Sequence, residues 1–332
     1  MFSARMRMKN RFFPAVLMAA ALLAAWAAPL AAQPYPARPL KLIVPYPPGG
    51  GGDLVGRYFA QKLSDSLGMS VLVDNRGGAG GNIGTDAGAK AAPDGYTLTL
   101  ATNGVAINHT LYPKIPFDII KDFAPISMLG STPMLVLVHP SVPARSITEL
   151  IALEKAKPGA LNHGTAGIGS PQHLAAELFN NMTGTRLVHV PFRGTCPSLQ
   201  ALVSNDIQVM FATMASVEQF VRNGTVRALA VTEATRFPVF PDLPTVAEAG
   251  VPGYSASVWY ALLAPARTPE PALARLNADL KLILAQPETR AKLAAQGTQA
   301  AFSTPAGLGK TIRDDATKWG EVIKRLNLSA NE

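Results

Sequence analysis

Short apolar runs alternate with longer amphipathic patterns along most of this chain, and this alternation restricts its fold more than any other feature. The first unit joins an apolar run at residues 40–44 to a helical pattern from Asp53 to Leu67, which Gly68 ends. Val55 and Phe59 lie four residues apart in that pattern, as on one buried face of a helix. Further strands are predicted at residues 71–73, 96–100, 134–138, 187–190, 207–211 and 226–231. Strands that alternate with helices form parallel-rich sheets covered by helices on both faces, so the sequence predicts an α/β fold.

The first 32 residues have the pattern of a secretory signal peptide. Four basic residues and no acidic one precede an apolar run, rich in Ala and Leu, that ends at Ala32. Small residues at the end of such a run, with a Pro-rich segment after it, favour cleavage near Ala32. A transmembrane anchor needs about 20 apolar residues, so length alone leaves that alternative open. We therefore expect export, with residues 1–32 removed.

Removal of this leader changes the charge of the chain. The full sequence has 30 basic and 22 acidic residues, so 26 basic residues would remain after the four in the leader are lost. This small excess, without any Lys/Arg run in the mature part, argues against nucleic-acid binding. Cys196 is the only cysteine, so no intramolecular disulfide can form, and no paired base marks it as a nucleophile.

The length of the chain predicts two lobes. The 300 residues after the leader exceed what one hydrophobic core usually supports. An irregular stretch ends at Pro125, after which the chain would cross to a second lobe and return near residue 230. The predicted limits are residues 33–125 plus 230–332 for lobe 1 and residues 126–229 for lobe 2.

A glycine-rich loop separates the first strand from the first helix. Residues 45–53 read Pro-Tyr-Pro-Pro-Gly-Gly-Gly-Gly-Asp, so backbone N–H groups can approach a ligand closely. These groups lie at a helix N-terminus, where unpaired N–H groups and the helix dipole favour an anion. Asp53 either caps the helix or turns its carboxylate towards a ligand. The loop is predicted to bind an anion, although a capped turn without a ligand fits the same residues.

A second loop of this kind lies in the other half of the chain. Residues 165–170 read Thr-Ala-Gly-Ile-Gly-Ser, and Ser170 is followed by Pro171 at the predicted start of a helix. Two such donor-rich helix starts that face each other would hold both ends of a dicarboxylate. His173 lies one turn inside this helix, and Glu177 is its only nearby partner for a metal, so we predict a surface histidine rather than a metal ligand.

Motifs of common enzymes are absent from the sequence. Gly78 and Gly80 lack the third glycine of a dinucleotide-binding fingerprint, because Ile83 stands in its place. No Gly-x-Ser-x-Gly motif occurs, and the five histidines form no His-x-x-x-His or His-x-His pair. The sequence therefore predicts no cofactor, no metal and no catalytic residue, although a single sequence leaves a dispersed Ser/His/Asp triad open.

Ordered sequence blocks cover nearly all of the chain after the leader. The first reads Ile-Val-Pro-Tyr-Pro-Pro-Gly-Gly, and the second reads Val-Asp-Asn-Arg-Gly-Gly-Ala-Gly-Gly-Asn-Ile-Gly. The blocks are residues 43–50 with Asp53 and Arg57, and residues 73–84, 93–98, 169–179, 189–194, 226–232 and 241–245. In this order they resemble the tripartite tricarboxylate transporter receptor family, also called Bug receptors.

The resemblance implies a type II periplasmic binding protein fold with a ligand cleft between two lobes. Receptors of this family capture citrate and other di- and tricarboxylates, acidic amino acids or aromatic acids such as nicotinate, and deliver them to membrane transport subunits. We accordingly expect a periplasmic monomer without a cofactor. The resemblance places these residues at the ligand, partly through ordered water: Tyr46, Pro48, Gly49, Gly50, Asp53, Thr102, Asn103, Thr165, Gly167, Ile168, Gly169, Ser170, Phe192 and Thr213.

The sequence departs from the family pattern at three places near the expected cleft. Phe192 stands where a Tyr is usual, and Ala212-Thr213 stands where an Asp is common. Gly51-Gly52 leaves the first loop with fewer side chains than in most members. Loss of a hydroxyl and a carboxylate makes the cleft wall less polar, which favours an aromatic or aliphatic acid over citrate. The identity of the acid stays open.

Two other functions fit the same sequence. A sensor would share the fold and the ligand but present its closed form to a signalling partner, and fold alone does not separate the two roles. An exported hydrolase or transferase would need a nucleophile and a base that no local motif marks.

Overall fold

The computed structural model describes residues 35–112, 114–325 and 327–330. Its strands are β1 (Leu40–Val44), β2 (Val71–Asn75), β3 (Thr97–Thr102), β4 (Phe123–Val138), β5 (Asn162–Thr165), β6 (Val188–Pro191), β7 (Val209–Thr213), β8 (Arg227–Val231), β9 (Ser257–Pro265) and β10 (Gln299–Ala300). Its α-helices are α1 (Gly51–Leu67), α2 (Asn82–Ala89), α3 (Gly104–Leu111), α4 (Ile147–Ala156), α5 (Pro171–Thr183), α6 (Thr195–Val203), α7 (Met214–Arg222), α8 (Glu270–Ala285), α9 (Pro287–Ala295) and α10 (Pro305–Arg325). The predicted α/β fold is confirmed. The predicted leader, residues 1–32, lies outside the described residues.

The strands form a mixed sheet in the order β2-β1-β3-β9-β4-β7-β5-β6, with β8 and β10 also paired to β4. Within it, β1 runs parallel to β2 and β3, and β5 runs parallel to β6 and β7. The two parallel groups are joined through β9 and β4, which pair antiparallel to each other. Parallel strands need crossover helices, so each group carries the helices that the alternation in the sequence predicts.

Strand β4 takes part in both halves of the sheet. Its residues 123–133 pair with β9, and its residues 134–138 pair with β7 and β8. The change of partners therefore falls inside one strand of 16 residues, and the chain from residue 38 onward forms one compact unit. The lobe limits 33–125 plus 230–332 and 126–229 stay a prediction.

Helix α1 packs through the face that the sequence predicts. Val55, Phe59 and Leu63 are almost fully buried, and burial of such side chains stabilises a fold by about 1.5–3 kcal/mol each. Gly68 ends the helix in the left-handed conformation, with a φ of 67° and its N–H donating to the carbonyl of Ser64. This packing fixes the N-terminus of α1 at the carboxyl end of β1.

Strand β9 was not predicted from the sequence. Its residues read Ser-Val-Trp-Tyr-Ala-Leu-Leu-Ala-Pro, and every residue after Ser257 is buried. A strand covered on both faces shows a continuous apolar run instead of a polar–apolar alternation. The alternation that identifies half-buried strands is therefore missing from this central element.

Candidate ligand-binding cavity

A cavity lies where β1, β3, β5, β6 and β7 end and the helices after them begin. Each of the five strand–helix junctions supplies part of its lining. The contributions are Gly50 to Gly52 at α1, Thr102 ahead of α3, Pro171 and Gln172 in α5, Gly194 to Cys196 at α6, and Thr213 ahead of α7. Ligands of open α/β sheets bind in this position, at the carboxyl ends of the strands.

The electrostatic character of the cavity comes from the ends of these helices. The first N–H groups of a helix have no partner within the helix, and the helix dipole adds partial positive charge there. In α1, the first helical hydrogen bond runs from the N–H of Leu54 to the carbonyl of Gly50, at 3.1 Å. None of the described lining residues is Asp, Glu, Lys, Arg or His. The cavity is thus suited to an anion by backbone groups and not by an arginine clamp.

The glycines of the first loop are required by close packing and by backbone conformation. Gly49 has a φ of +87°, which a residue with a side chain adopts only under strain. A Cβ on Gly51 would lie 2.6 Å from the Thr213 hydroxyl oxygen and 2.8 Å from that of Tyr260. Only a glycine at position 51 lets the start of α1 approach these two hydroxyl groups.

Asp53 supports this loop and does not line the cavity. Its carboxylate accepts hydrogen bonds from the Gly49 N–H at 2.9 Å, Arg57 Nε at 3.0 Å and Asn75 Nδ2 at 2.9 Å. Burial acts to raise the pKa of Asp53, but the bonds from Arg57, Gly49 and Asn75 outweigh it and hold the pKa below its usual value. These bonds give Asp53 a role in closing the loop around residues 49–53, and its contact with a ligand stays a prediction.

Two tyrosine hydroxyls lie at the cavity. The hydroxyl of Tyr46 is 2.7 Å from the hydroxyl of Thr102, and burial raises the pKa of Tyr46 to about 12 against a smaller, opposite effect of the bond to Thr102. Burial also raises the pKa of Tyr260. Both phenols are therefore neutral near pH 7, and a neutral phenol can donate a hydrogen bond to an anion.

The second predicted loop is occupied mostly by its own hydrogen bonds. The N–H groups of Gly167, Gly169 and Ser170 donate to Thr165 Oγ1 at 3.2 Å, His173 Nδ1 at 3.3 Å and the Gly167 carbonyl at 3.1 Å. The Ser170 hydroxyl caps α5 by accepting from the His173 N–H at 3.3 Å. Thr165, Gly167, Gly169 and Ser170 do not line the cavity, where Ala166 and Gln172 lie instead. The predicted helix start at Ser170-Pro171 is confirmed, and ligand contact by Thr165, Gly167, Gly169 and Ser170 stays a prediction.

A second cavity adjoins the first. Tyr46, Pro47, Ala166 and Gly194 line both of them. The predicted residues Gly167, Ile168 and Phe192 line only the second, with Arg193 also at its wall. The 165–170 loop thus contributes mainly to this neighbouring space.

The remaining predicted residues lie in or near the first cavity, but not all of them line it. Pro48, Gly50 and Thr213 line the first cavity. Gly49 lies in the loop between Pro48 and Gly50 but is not itself part of the lining. Asn103 lines neither cavity, because its Nδ2 donates to the carbonyl of Ser257 at 2.9 Å.

Further lining residues lie outside the two predicted loops and were not assigned to the site from the sequence: Gln172, Gly194, Thr195, Cys196, Val258 and Tyr260. Val258 and Tyr260 belong to the unpredicted strand β9. Thr195 and Cys196 begin α6, and the position of Cys196 ahead of Pro197 at a helix start was the available signal.

Three histidines stack beside the 165–170 loop. The rings of His173 and His189 are 4.1 Å apart, and those of His163 and His189 are 5.0 Å apart. Burial lowers the pKa of His173 and of His189 to about 3. His173 is only 6 % exposed, so the prediction of a surface histidine was wrong. Its ring packs in this stack because strands β5 and β6 bring the other two histidines against α5.

The carboxylate of Glu177 borders this stack, at 3.6 Å from His163 Nε2 and 3.9 Å from His173 Nε2. Burial acts to raise the pKa of Glu177, but the neighbouring histidines lower it overall. No group of three or more metal-ligand side chains with suitable geometry occurs among the residues that the structure describes.

Within residues 35–112, 114–325 and 327–330, no helix combines the length and the apolar character needed to cross a membrane.

Comparison with known proteins finds relatives along nearly the whole chain. Residues 55–328 match the profile of a family described as the tripartite tricarboxylate transporter family receptor, TctC. The chain is 39 % identical to Protein BugT of Bordetella pertussis over 300 residues, which are 90 % of this chain and 92 % of that protein. The structure of R. palustris Rpa4515 with adipate has a TM-score of 0.87 at 33 % identity, over 89 % of this chain and 99 % of that one.

The structure of the periplasmic binding protein BugD gives a TM-score of 0.85 at 31 % identity, over 89 % of this chain and 99 % of that one. The periplasmic binding protein fold implied by the sequence blocks is thereby confirmed.

Proposed function

The chain belongs to the tripartite tricarboxylate transporter family of receptors, and on this premise we propose that it captures a small organic carboxylate in the periplasm. The bound acid passes to the membrane subunits of a tripartite tricarboxylate transporter. The receptor works as a monomer, without a cofactor and without catalysis. Its leader is cleaved near Ala32.

The observation that carries this proposal is the convergence of five helix starts on one cavity without a charged side chain among its described lining residues. Backbone N–H groups and helix dipoles are complementary to a carboxylate. They also leave the rest of the cavity free to fit an organic tail. The relative solved with adipate supports a carboxylate as the ligand class.

The residues that we assign to ligand contact differ in part from those expected from sequence. Tyr46, Pro48, Gly50, Thr102 and Thr213 keep that role. Gln172, Thr195 and Tyr260 join them, and Asp53 becomes a support of the first loop. Gly167, Ile168 and Phe192 contact only ligands that extend into the second cavity.

A thermal-shift screen over some dozens of carboxylates tests the proposal. We expect at least one acid to bind with a Kd on the order of 1 μM. At about 100 times Kd, it stabilises the native state by about 2.7 kcal/mol and raises the melting midpoint. A screen in which no acid moves the midpoint, or in which an acid is chemically converted, contradicts the proposal.

A further inference from the structure

Gln172 differs from the other side chains that line the cavity. It is the second residue of α5, and only 8 % of its surface is exposed. Its carbonyl oxygen Oε1 is buried and has no hydrogen-bond partner. Native proteins rarely leave a buried acceptor unpaired, because removing it from water without a replacement bond is costly.

Two hydroxyl groups that line the same cavity have partners within the protein. The Thr102 hydroxyl is bonded to Tyr46 at 2.7 Å, and the Thr213 hydroxyl to Ser216 at 3.1 Å. Among the described residues that line the cavity, Gln172 alone has a buried polar side-chain atom without a partner. The unpaired acceptor is therefore a particular property of this position and not of the lining in general.

The polar groups at the cavity require different hydrogen-bonding partners on a ligand. The start of α1 offers N–H groups that have no partner within the helix, and a carboxylate satisfies such groups by accepting. The Gln172 oxygen instead requires a donor, and a fully ionised, unsubstituted dicarboxylate has none. An ammonium group is a poor candidate, because helix N-termini repel cations and the described lining contains no carboxylate. A neutral hydroxyl or carboxamide group meets the requirement.

On the basis of the proposed function, we infer that Gln172 is a specificity-determining residue that accepts a hydrogen bond from a hydroxyl or carboxamide group on the ligand. The receptor then selects carboxylates that carry such a group over matched acids that lack it. A site built to bond a ligand hydroxyl rejects the analogue without it, because the buried acceptor stays unpaired in the wrong complex.

Matched pairs of acids test this inference by titration calorimetry. The probes are malate with succinate, 4-hydroxybenzoate with benzoate, and adipamate with adipate, each titrated into the wild-type receptor and into Gln172→Met. Methionine keeps the length and approximate volume of the side chain but has no strong acceptor. We expect the wild type to bind the donor-bearing member of at least one pair about tenfold or more tightly. Gln172→Met brings that ratio close to one, because the donor-bearing member loses more affinity than the donor-free member.

Two controls separate specificity from damage to the fold. The midpoint of the unliganded Gln172→Met variant should equal or exceed that of the wild type, because an unpaired buried acceptor is removed. The exposed residue Gln219 provides a matched substitution, and Gln219→Met should keep the wild-type ratios.

The inference is overturned by wild-type ratios near one in every pair, or by a ratio that survives in Gln172→Met. An equal loss of both members in that variant also overturns it, because the amide would then donate to a carboxylate. If none of the acids binds the wild type, the proposed function fails and the inference fails with it. If the acids bind but the ratio of affinities within each pair is the same in Gln172→Met as in the wild type, the inference fails and the proposed function stands.

Discussion

At the scale of single residues, Asp53 organises the first loop from behind the cavity. Its carboxylate joins the Gly49 N–H, Arg57 and Asn75, which come from the loop, from α1 and from β2. Only 3 % of the surface of Asp53 is exposed, so water cannot easily replace these hydrogen-bond partners. We therefore expect Asp53 to affect ligand binding indirectly, by fixing the position of the loop backbone.

Substitution of Asp53 tests that role. Asp53→Ala leaves the Gly49 N–H and the Asn75 amide without their acceptor, and we expect it to lower the free energy of unfolding by about 1–3 kcal/mol. Denaturant titration measures the loss. The exposed Asp65→Ala variant, on the same helix, should change stability by no more than about 0.5 kcal/mol. If Asp53→Ala weakens ligand binding and leaves stability unchanged, Asp53 contacts the ligand directly and the supporting role is wrong.

The roles of Asp53 and Gln172 also mark what the sequence does not reveal at this scale. The partner Asn75 is 22 residues away from Asp53, so the bond exists only once β1 and β2 pair. The unpaired oxygen of Gln172 depends on how neighbouring side chains use their own hydrogen bonds. Sequence therefore predicted the loop and the helix start, whereas the function of each side chain needed the tertiary structure.

At the scale of elements, the stack of His163, His173 and His189 joins β5, β6 and α5. Parallel pairing places His163 opposite His189 in neighbouring strands, and α5 lays His173 on the same stack. His173 Nδ1 accepts from the Gly169 N–H, and His189 Nε2 lies 2.7 Å from Thr165 Oγ1. The rings of His173 and His189 thus hold the 165–170 loop.

The pH dependence of stability follows from this element. The pKa of His173 and of His189 is about 3 in the folded state and about 6.5 in the unfolded chain. Between these values the unfolded state binds more protons, so the free energy of unfolding falls as the pH is lowered from about 6.5. We expect a slope of more than about 1 kcal/mol per pH unit near pH 5. Denaturant titrations between pH 7 and pH 4.5 measure it.

A double variant assigns this slope to the two rings. His173→Asn with His189→Gln keeps an acceptor near each original nitrogen but cannot titrate, so the slope should decrease markedly. His109→Asn, at an exposed position of α3, serves as the control and should leave the slope as in the wild type. A wild-type stability that is flat between pH 6.5 and pH 4.5 contradicts the burial of neutral histidines.

The elements themselves were predictable to the extent that one of their faces is exposed. Helix α1 shows its buried face in Val55 and Phe59 at helical spacing, and Gly68 marks its end. Strand β9 has no such pattern because it is buried along almost its whole length. It pairs with both β3 and β4, so one of the two strands that join the parallel groups could not be found from periodicity.

At the scale of the whole molecule, five strand–helix units direct their helix starts to a common cavity. Three of these helices lie in the half of the chain that contains β5, β6 and β7, and two follow β1 and β3. The sequence predicted a ligand-binding role for two of the five starts, at α1 and α5, because their Gly-rich loops are conspicuous. The junctions at α6 and α7 carry no glycine run, and their contribution depends on the order of strands in the sheet.

From this arrangement we propose that helix N-termini and neutral hydroxyl groups bind the charge of the carboxylate. Neutralisation of the charge without a change in the carbon skeleton should therefore abolish binding. Loss of a charged partner at a desolvated site costs several kcal/mol, which corresponds to a loss of at least about 100-fold in affinity.

The most direct measurement is a calorimetric titration of the mature receptor with the acid that gives the largest thermal shift, and with the methyl ester of that acid. We expect saturable one-to-one binding of the acid, with a Kd on the order of 1 μM, and no detectable binding of the ester. An ester that binds as tightly as the acid would contradict the claim that converging helix starts recognise a carboxylate.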